Sequence, residues 1–162
     1  MQLGAILQLL VLLAAANGAP VLAKKILGQR FAQPLDGGRL FVDGRPLFGA
    51  SKTIRGIVVA ILASTLAAPL LGLDWTVGLR VGVFAMLGDL VSSFVKRRLA
   101  LPSSSMALGI DQVPESLFPA LACRALLSLS AVDIVATVAA FFVGELLLSR
   151  LLYRLHIRDR PY

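Results

Sequence analysis

The chain has 162 residues, of which 57% are hydrophobic and only 15% are charged, and its mean hydropathy is +0.84. Soluble domains carry about a quarter charged residues, so this composition excludes an ordinary soluble domain and indicates an integral membrane protein. The net charge of +7 does not indicate a nucleic-acid partner, because a soluble basic domain would not also contain several apolar runs of spanning length.

The first predicted span is residues 1–23, which contain no charged residue. A cleaved signal peptide is the alternative interpretation, since residues 14–19 form a small-residue stretch. However, a signal peptide carries positive charge before its apolar core. Here Lys24 and Lys25 follow the core, which favours a retained transmembrane helix.

The rest of the chain alternates between polar loops and apolar runs. A glycine-rich polar segment at 24–55 holds seven basic residues and leads into a second span at 56–73, which we expect to kink near Pro69. The later segments are a third span at 76–95, a polar loop at 99–115, a short fourth span at 116–129, a fifth span at 131–149 and a basic tail at 150–162. We expect one all-α domain, residues 1–162, with five transmembrane helices.

Lysine and arginine are distributed very unevenly around these spans. With five spans, the loop at 24–55, the loop at 99–115 with the preceding Lys96–Arg98, and the tail lie on one side and hold fourteen of the sixteen basic residues. Positive charge marks the cytoplasmic side of membrane proteins. The pattern predicts a cell-membrane protein with its N-terminus outside and its C-terminus in the cytoplasm.

Only one cysteine, Cys123, and one histidine, His156, are present. An internal disulfide, a Ser-His-Asp or Cys-His catalytic arrangement and a histidine-rich zinc site are therefore excluded.

Asp89 is the first candidate for chemistry. On a helix, Asp89, the serine pair 92–93 and Lys96 share one face. An intramembrane carboxylate is costly unless it is paired or metal-bound, and Mg²⁺ binds one or two carboxylates together with substrate phosphates. The structural alternative is that Asp89 pairs with Lys96 or with a neighbouring helix.

Asp111 is the second candidate carboxylate, at the end of the second polar loop. If both polar loops are cytoplasmic, Asp111 can approach Asp89. Two carboxylates near basic side chains would hold one or two magnesium ions against a triphosphate. Alternatively, Asp111 caps the fourth helix.

The segment from Phe48 to Gly56 places glycine, Lys52 and Arg55 at the start of the second span. It lacks the glycine spacing and the preceding strand of a Walker motif. Backbone amides, basic side chains and a helix N-terminus still favour phosphate. The structural alternative is a helix cap at Ser51 with Lys52 and Arg55 reaching to the interface.

Three further charged residues lie in the last two spans. Arg124 and Asp133 are near the outer ends of their spans and are expected to pair structurally. Glu145 lies near the cytoplasmic end of its helix and could face the site or the interface.

Taken together, the motifs resemble those of the CDP-archaeol synthase family. The matching pieces occur in the same order along most of the chain: Asn17-Gly18, Leu35-Asp36-Gly37-Gly38, Asp43 to Gly49, Lys52-Thr53-Ile54-Arg55-Gly56, Gly88-Asp89, Ser93 to Arg98, Asp111-Gln112 and Arg158 to Tyr162. That family is related to the phosphatidate cytidylyltransferases, and the segment from Ser93 to Arg97 resembles the start of their shared signature.

The resemblance implies five transmembrane helices, a cytoplasmic active site and dependence on Mg²⁺. It implies that CTP reacts with an unsaturated archaeal ether-lipid phosphate, 2,3-bis-O-geranylgeranylglycerol 1-phosphate, to give CDP-archaeol and pyrophosphate. The expected partners are CTP, the lipid phosphate and membrane lipids, with no nucleic acid. The sequence gives no indication of oligomeric state.

The resemblance also implies roles for individual residues. Asp89 and Asp111 become metal-binding and catalytic positions, with Lys96 as a further catalytic residue. The substrate-binding positions that it implies are Lys52, Thr53, Arg55, Ser93, Lys96 and Arg97, together with Asn17, Asp43 and Arg45 as motif positions.

Two positions depart from the family pattern. A further acidic residue and an aromatic normally follow the Asp-Gln pair, whereas Val113-Pro114-Glu115-Ser116 stands here, so either Glu115 supplies that carboxylate or the site is altered. Position 54 is isoleucine where an aromatic is common. Ester-linked phosphatidate or another polyprenyl-type phosphate are therefore alternative substrates, and a lipid transporter and an inactive membrane adaptor are alternative functions.

Overall fold

The computed structural model describes residues 1–103, 105 and 107–155, and this part of the chain contains five α-helices. They are α1 (Leu3–Leu27), α2 (Ile54–Leu70), α3 (Trp75–Arg98), α4 (Gln112–Ala122) and α5 (Ala131–Arg154). Three of them, α1, α3 and α5, are long and apolar enough to cross a membrane. The all-α architecture with five helices is therefore confirmed.

Side-chain caps set the starts of three helices. The hydroxyl of Thr53 accepts from the backbone N–H of Gly56 at the start of α2, and the Asp74 carboxylate accepts from Thr76 at the start of α3. Ser130 and Asp133 form a reciprocal capping box at the start of α5. The structural alternative of a cap at Ser51 is wrong by two residues, because Thr53 caps α2 and has the extended backbone that a cap requires.

Small residues bring α2 and α3 into close contact. A Cβ atom at Gly78 would lie 2.8 Å from the Cβ of Ala68, and one at Gly82 would lie 2.8 Å from the Cα of Ile61. These distances are shorter than van der Waals contact, so only glycine fits at both positions. Helix α1 contributes three fully buried leucines to the same core, at positions 9, 12 and 13.

The second polar loop folds back along α3 before α4 begins. A Cβ atom at Gly88 would lie 2.7 Å from the backbone nitrogen of Glu115, so α4 starts beside the middle of α3 rather than beyond its end. At the other end of α4, Cys123 lies near the Arg80 guanidinium. The helix therefore runs antiparallel to α3 over part of its length.

The position of α4 corrects the predicted fourth span at 116–129. The helix covers Gln112–Ala122, and residues 123–129 form turns in which Ser128 has a φ of 49°. Proline does not prevent the earlier start, since Pro114 lies in the first turn, where no intrahelical N–H is needed. The apolar run beyond residue 122 is not helical, and only part of it is buried: Cys123, Leu127 and Leu129 lie in the core, whereas Leu126 is exposed.

The first polar loop, 28–53, is ordered by short-range pairing. Two isolated β-bridges join Pro34 to Thr53 and Leu40 to Pro46. The second bridge closes a small hairpin over residues 39–47, whose Phe41 ring packs edge-on against Phe94 of α3 at 5.3 Å between ring centroids. The loop is thereby held against the ends of the helices.

Candidate active site

One large cavity of about 900 Å³ lies at one end of the helix bundle. The ends of all five helices line it: the C-terminal ends of α1, α3 and α5 and the N-terminal ends of α2 and α4. Its charged lining residues are Lys24, Lys25, Lys52, Arg55, Asp89, Lys96, Arg97, Asp111, Glu115 and Glu145. Most of the candidate residues from the sequence therefore meet in a single cavity.

Lys52 and Asp89 form the central ion pair of the cavity. The Lys52 Nζ lies 2.6 Å and 2.5 Å from the two carboxylate oxygens of Asp89. The side chains are 21% and 18% exposed, so the pair is mostly buried but open to the cavity. Burial lowers the pKa of the Lys52 ammonium, but the carboxyl groups of Asp89, Glu115 and Asp111 together raise it by more, so that it lies above its ordinary value.

This pairing corrects one structural alternative from the sequence, in which Asp89 pairs with Lys96. The two residues share a helix face but are separated by about two turns, or about 10 Å. Lys96 instead forms an ion pair with Asp111, with 2.6 Å between its Nζ and an Asp111 oxygen. It also donates to the backbone carbonyl of Ser105 at 2.9 Å.

Asp111 does not cap α4, so that alternative is wrong as well. Its backbone is helical, and its carboxylate accepts from no residue in the first turn of α4. It accepts instead from the backbone N–H of Ala107 at 2.9 Å, while its other oxygen faces Lys96. The acidic side chain is thus directed at the cavity by its own loop.

Glu115 completes the acidic part of the cavity. It is only 7% exposed, and its carboxyl group is within hydrogen-bonding reach of Asp89. Glu145 of α5 lies close enough for its charge to act on Glu115. The sequence left the roles of both glutamates open, and the folding back of the loop before α4 is what brings Glu115 to Asp89.

Arg97 fastens the second polar loop to α3. Its guanidinium donates to the Ser103 hydroxyl at 2.8 Å and to the Pro102 carbonyl at 2.9 Å. Arg97 is 5% exposed, yet it lines the cavity. Its charge is therefore directed inward, beside that of Lys96.

The remaining substrate-binding candidates fall into two groups. Asn17, Thr53, Arg55 and Ser93 line the cavity. The Asn17 amide nitrogen is buried and has no hydrogen-bond partner within the described ranges. Arg55 donates to the Gly28 carbonyl at 3.0 Å and so also ties the end of α1 to the start of α2.

Asp43 and Arg45 are not among the residues that line the cavity. Asp43 pairs with Arg98 at 3.2 Å, and Arg45 donates to the Arg98 carbonyl. The Arg98 guanidinium also stacks over the Phe41 ring. Both residues hold the 39–47 hairpin against the end of α3.

The expected pair between Arg124 and Asp133 is not formed. Asp133 accepts from Ser130 in the capping box and from the backbone nitrogen of Gln2 at 2.8 Å. Because both carboxylate oxygens are used in this way, Asp133 joins the start of α5 to the start of α1 at the end of the bundle opposite the cavity.

Sequence reasoning missed the role of Asp36. One carboxylate oxygen accepts from the N–H of Gly38, and the other accepts from the N–H groups of Phe48 and Gly49, all at 3.0 Å. Burial raises the pKa of Asp36, but these N–H donors together lower it by more, to below its ordinary value of 3.8. The Asp-Gly-Gly sequence signals the local turn but not the two distant donors.

The donors in the cavity fit magnesium only if a substrate takes part. In residues 1–103, 105 and 107–155, no three Asp, Glu, His or Cys side chains lie close enough to hold a metal ion by themselves. Mg²⁺ commonly takes one or two carboxylates and completes its shell with phosphate and water oxygens. The neighbouring carboxyl groups of Asp89 and Glu115 match that requirement, with Asp111 in the same cavity.

Comparisons with known proteins agree with these motifs. The model of the family described as CarS-like CDP-archaeol synthase matches residues 3–162. The chain belongs to the CDP-archaeol synthase family. The resemblance that the motifs indicated is therefore confirmed.

Individual relatives match over large parts of the chain. It is 35% identical to the CDP-archaeol synthase of Sulfurisphaera tokodaii over 153 residues, which cover 91% of this chain and 89% of the relative. It is 36% identical to the CDP-archaeol synthase of Saccharolobus solfataricus over 115 residues, which cover 67% and 66% of the two chains.

A solved structure also resembles this fold. That protein is described as an intramembrane enzyme for archaeal membrane lipid biosynthesis. It matches with a TM-score of 0.76 and 29% identity over 88% of this chain and 90% of its own. Together with the long apolar helices, this likeness identifies a membrane-embedded protein.

Proposed function

We propose that this protein transfers CMP from CTP to an archaeal-type ether-lipid phosphate, 2,3-bis-O-geranylgeranylglycerol 1-phosphate. The products are CDP-archaeol and pyrophosphate. Membership of the CDP-archaeol synthase family supports this reaction. The single observation that carries it to particular residues is the cavity in which Lys52, Lys96 and Arg97 face the carboxyl groups of Asp89 and Glu115.

A triphosphate needs several cations at one place, and the cavity supplies three of them from one loop and one helix. Lys52 comes from the loop before α2, whereas Lys96 and Arg97 come from the end of α3. Each now donates to a carboxylate, a hydroxyl or a carbonyl of the protein. The Arg97 acceptors are neutral, and phosphate oxygens are stronger acceptors than these, so the substrate can replace them without leaving the Arg97 charge unpaired.

The reaction is a direct displacement at phosphorus. A phosphate oxygen of the lipid attacks the α-phosphorus of CTP, the new P–O bond forms, and the bond to pyrophosphate breaks. The chain contributes by holding the two phosphates in line and by neutralising the charge on the leaving pyrophosphate through Lys52, Lys96 and Arg97. Asn17, Thr53, Arg55 and Ser93 add hydrogen-bond donors along the same wall.

Magnesium is the cofactor that this site suits. Asp89 and Glu115 would hold it, with Asp111 as a further oxygen ligand in the same cavity. When bound, Mg²⁺ would supply positive charge that polarises the phosphates. Asp89 is also the carboxylate that pairs with the Lys52 ammonium, so the acidic and basic groups of the site are adjacent.

The cavity is proposed to open to the cytoplasm, where CTP is made. The basic residues of both polar loops lie at this end of the bundle, and positive charge favours the cytoplasmic side. In this orientation we propose five spans, with the start of α1 outside and the end of α5 in the cytoplasm. The lipid tails would lie among the helices, with the phosphate at the cavity.

The test is an assay with purified protein in lipid nanodiscs, labelled CTP, Mg²⁺ and a panel of lipid phosphates. The panel contains the unsaturated archaeal ether lipid, a diacyl phosphatidate and a polyprenyl phosphate. We expect a CDP-lipid with the ether lipid, and loss of product in Asp89→Asn and Asp111→Asn. Product with none of the lipids would contradict the proposed function, and preference for phosphatidate would correct its substrate.

A further inference from the structure

Asp36 is a buried carboxylate in the first polar loop that does not line the cavity. It is 7% exposed and is separated from Lys52 by sixteen residues. In the part of the chain that the structure describes, its carboxylate accepts from the backbone N–H groups of Gly38, Phe48 and Gly49. Burying a carboxylate costs free energy unless its oxygens accept hydrogen bonds. Here both oxygens accept hydrogen bonds from backbone N–H groups.

These contacts are more than a local turn. The bond to Gly38 spans two residues, as in an ordinary Asx turn. The bonds to Phe48 and Gly49 span twelve and thirteen residues. The same carboxylate oxygen accepts both, so Asp36 fixes the backbone immediately before Lys52 from across the loop.

A closed circuit of hydrogen bonds then leads from Asp36 to Lys52. The Gly49 N–H donates to Asp36 at 3.0 Å, and the Gly49 carbonyl accepts from the Lys52 N–H at 3.1 Å. The Lys52 carbonyl in turn accepts from the N–H of Leu35, the residue before Asp36, at 2.8 Å. Both backbone groups of Lys52 are therefore fixed by a ring that closes at Asp36.

The circuit also touches the second polar loop. Gly49 has a φ of +95°, and a Cβ atom there would collide with the Ser103 hydroxyl and would lie 3.5 Å from a nitrogen of Arg97. The turn that Asp36 fixes is thus wedged between Lys52 and the Arg97–Ser103 contact. A shift of this turn would move both walls of the cavity.

We propose that Asp36 is a positioning residue for the candidate active site: it fixes the turn at Phe48 and Gly49 so that the Lys52 ammonium meets Asp89. Asp36 does not line the cavity, so it would act through Lys52 rather than by contact with substrate. The inference rests on the proposed function, since Lys52 matters to catalysis only if the cavity binds phosphates.

The first test is a double-mutant cycle with Asp36→Asn and Lys52→Met. Asparagine keeps the size of the side chain but turns an N–H₂ group toward N–H donors. We expect Asp36→Asn to lower kcat/KM for CTP about tenfold to a hundredfold, because a hydrogen-bonded charge is lost. In the Lys52→Met background the same change should have little further effect, since the side chain that it positions is gone. Additive losses would overturn the proposal.

The second test does not depend on activity. Hydrogen exchange in nanodiscs should show faster exchange at residues 48–53 in Asp36→Asn, with α3 unchanged. The matched control is Asp74→Asn, which removes a cap carboxylate from the start of α3, at the other end of that helix. It should leave residues 48–53 and kcat/KM unchanged.

The two tests separate this inference from the proposed function. If wild-type protein makes no CDP-lipid but Asp36→Asn still speeds exchange at residues 48–53, the proposed function is contradicted. The hydrogen-bonded circuit from Asp36 to Lys52 is then still supported. Unchanged exchange at 48–53 in Asp36→Asn would overturn the inference whatever the activity.

Discussion

Lys52 and Asp89 stand thirty-seven residues apart in the chain, yet the Lys52 ammonium lies 2.5 Å and 2.6 Å from the two oxygens of the Asp89 carboxylate. The lysine comes from a loop and the aspartate from the C-terminal half of α3. Their contact joins the first polar loop to the central helix and places opposite charges at the bottom of a wide cavity.

The ion pair should contribute to stability as well as to catalysis. Lys52→Met leaves the Asp89 carboxylate without its ammonium partner in a site that is 18% exposed. We expect a loss of about 1–3 kcal/mol in the free energy of unfolding, measured by thermal denaturation in detergent. The double variant Lys52→Met with Asp89→Asn should recover part of that loss, because position 89 then carries no unpaired charge. A double variant less stable than Lys52→Met would contradict this.

Magnesium and CTP should stabilise the protein through the acidic residues. Adding both to wild-type protein should raise the Tm, since a ligand that binds only the folded state shifts the folding equilibrium. Glu115→Gln and Asp89→Asn should each remove most of that shift and lower turnover by about a hundredfold or more. A full shift in Glu115→Gln would show that this carboxyl group does not hold the metal.

Gly88 should be essential for the position of α4. Alanine at this position would push its Cβ against the backbone of Pro114 and Glu115, whereas a Cβ at Gly144 of α5 meets nothing within 4 Å. Gly88→Ala should therefore cost about 1–3 kcal/mol and lower activity. The matched control Gly144→Ala should be neutral or stabilising by up to about 1 kcal/mol. Equal effects of the two substitutions on Tm and turnover would count against the described packing.

The pH dependence of the first polar loop should follow Asp36. Because its pKa in the folded protein lies below the ordinary 3.8, the ionised carboxylate stabilises the loop above pH 3.8, and that contribution is lost as the pH falls through the lower value. Amide protection at Phe48 and Gly49, corrected for intrinsic exchange, should be constant from neutral pH to about pH 5. It should fall only in stronger acid. Loss of protection that begins above pH 5 in wild-type protein would contradict the assignment.

Features that depend on composition and local spacing could be predicted from the sequence. Five helices, the distribution of charge and the shared face of Asp89, Ser93 and Lys96 all follow from apolar length and helical period. The sequence also predicts that Asp111 and Asp89 lie at the same end of the bundle, because the charge distribution places both polar loops on one side.

Features that depend on tertiary contacts could not be predicted. The choice of Lys52 as the partner of Asp89 is made by the folding of a 26-residue loop between α1 and α2, and no local period reports it. The approach of Glu115 to Asp89 depends on the second polar loop folding back along α3. In the sequence, the apolar run begins only at Ser116, so hydropathy places Glu115 in the loop rather than in α4. The three donors to Asp36 include two that are a dozen residues away.

The most direct test of the central claim is to follow label from two forms of CTP, one labelled at the α-phosphate and one at the γ-phosphate. Wild-type protein in nanodiscs with the ether-lipid phosphate and Mg²⁺ should move the α-label into the lipid product and the γ-label into pyrophosphate, in equal amounts. Transfer of the γ-label to the lipid, or no labelled lipid from either form, would contradict cytidylyl transfer.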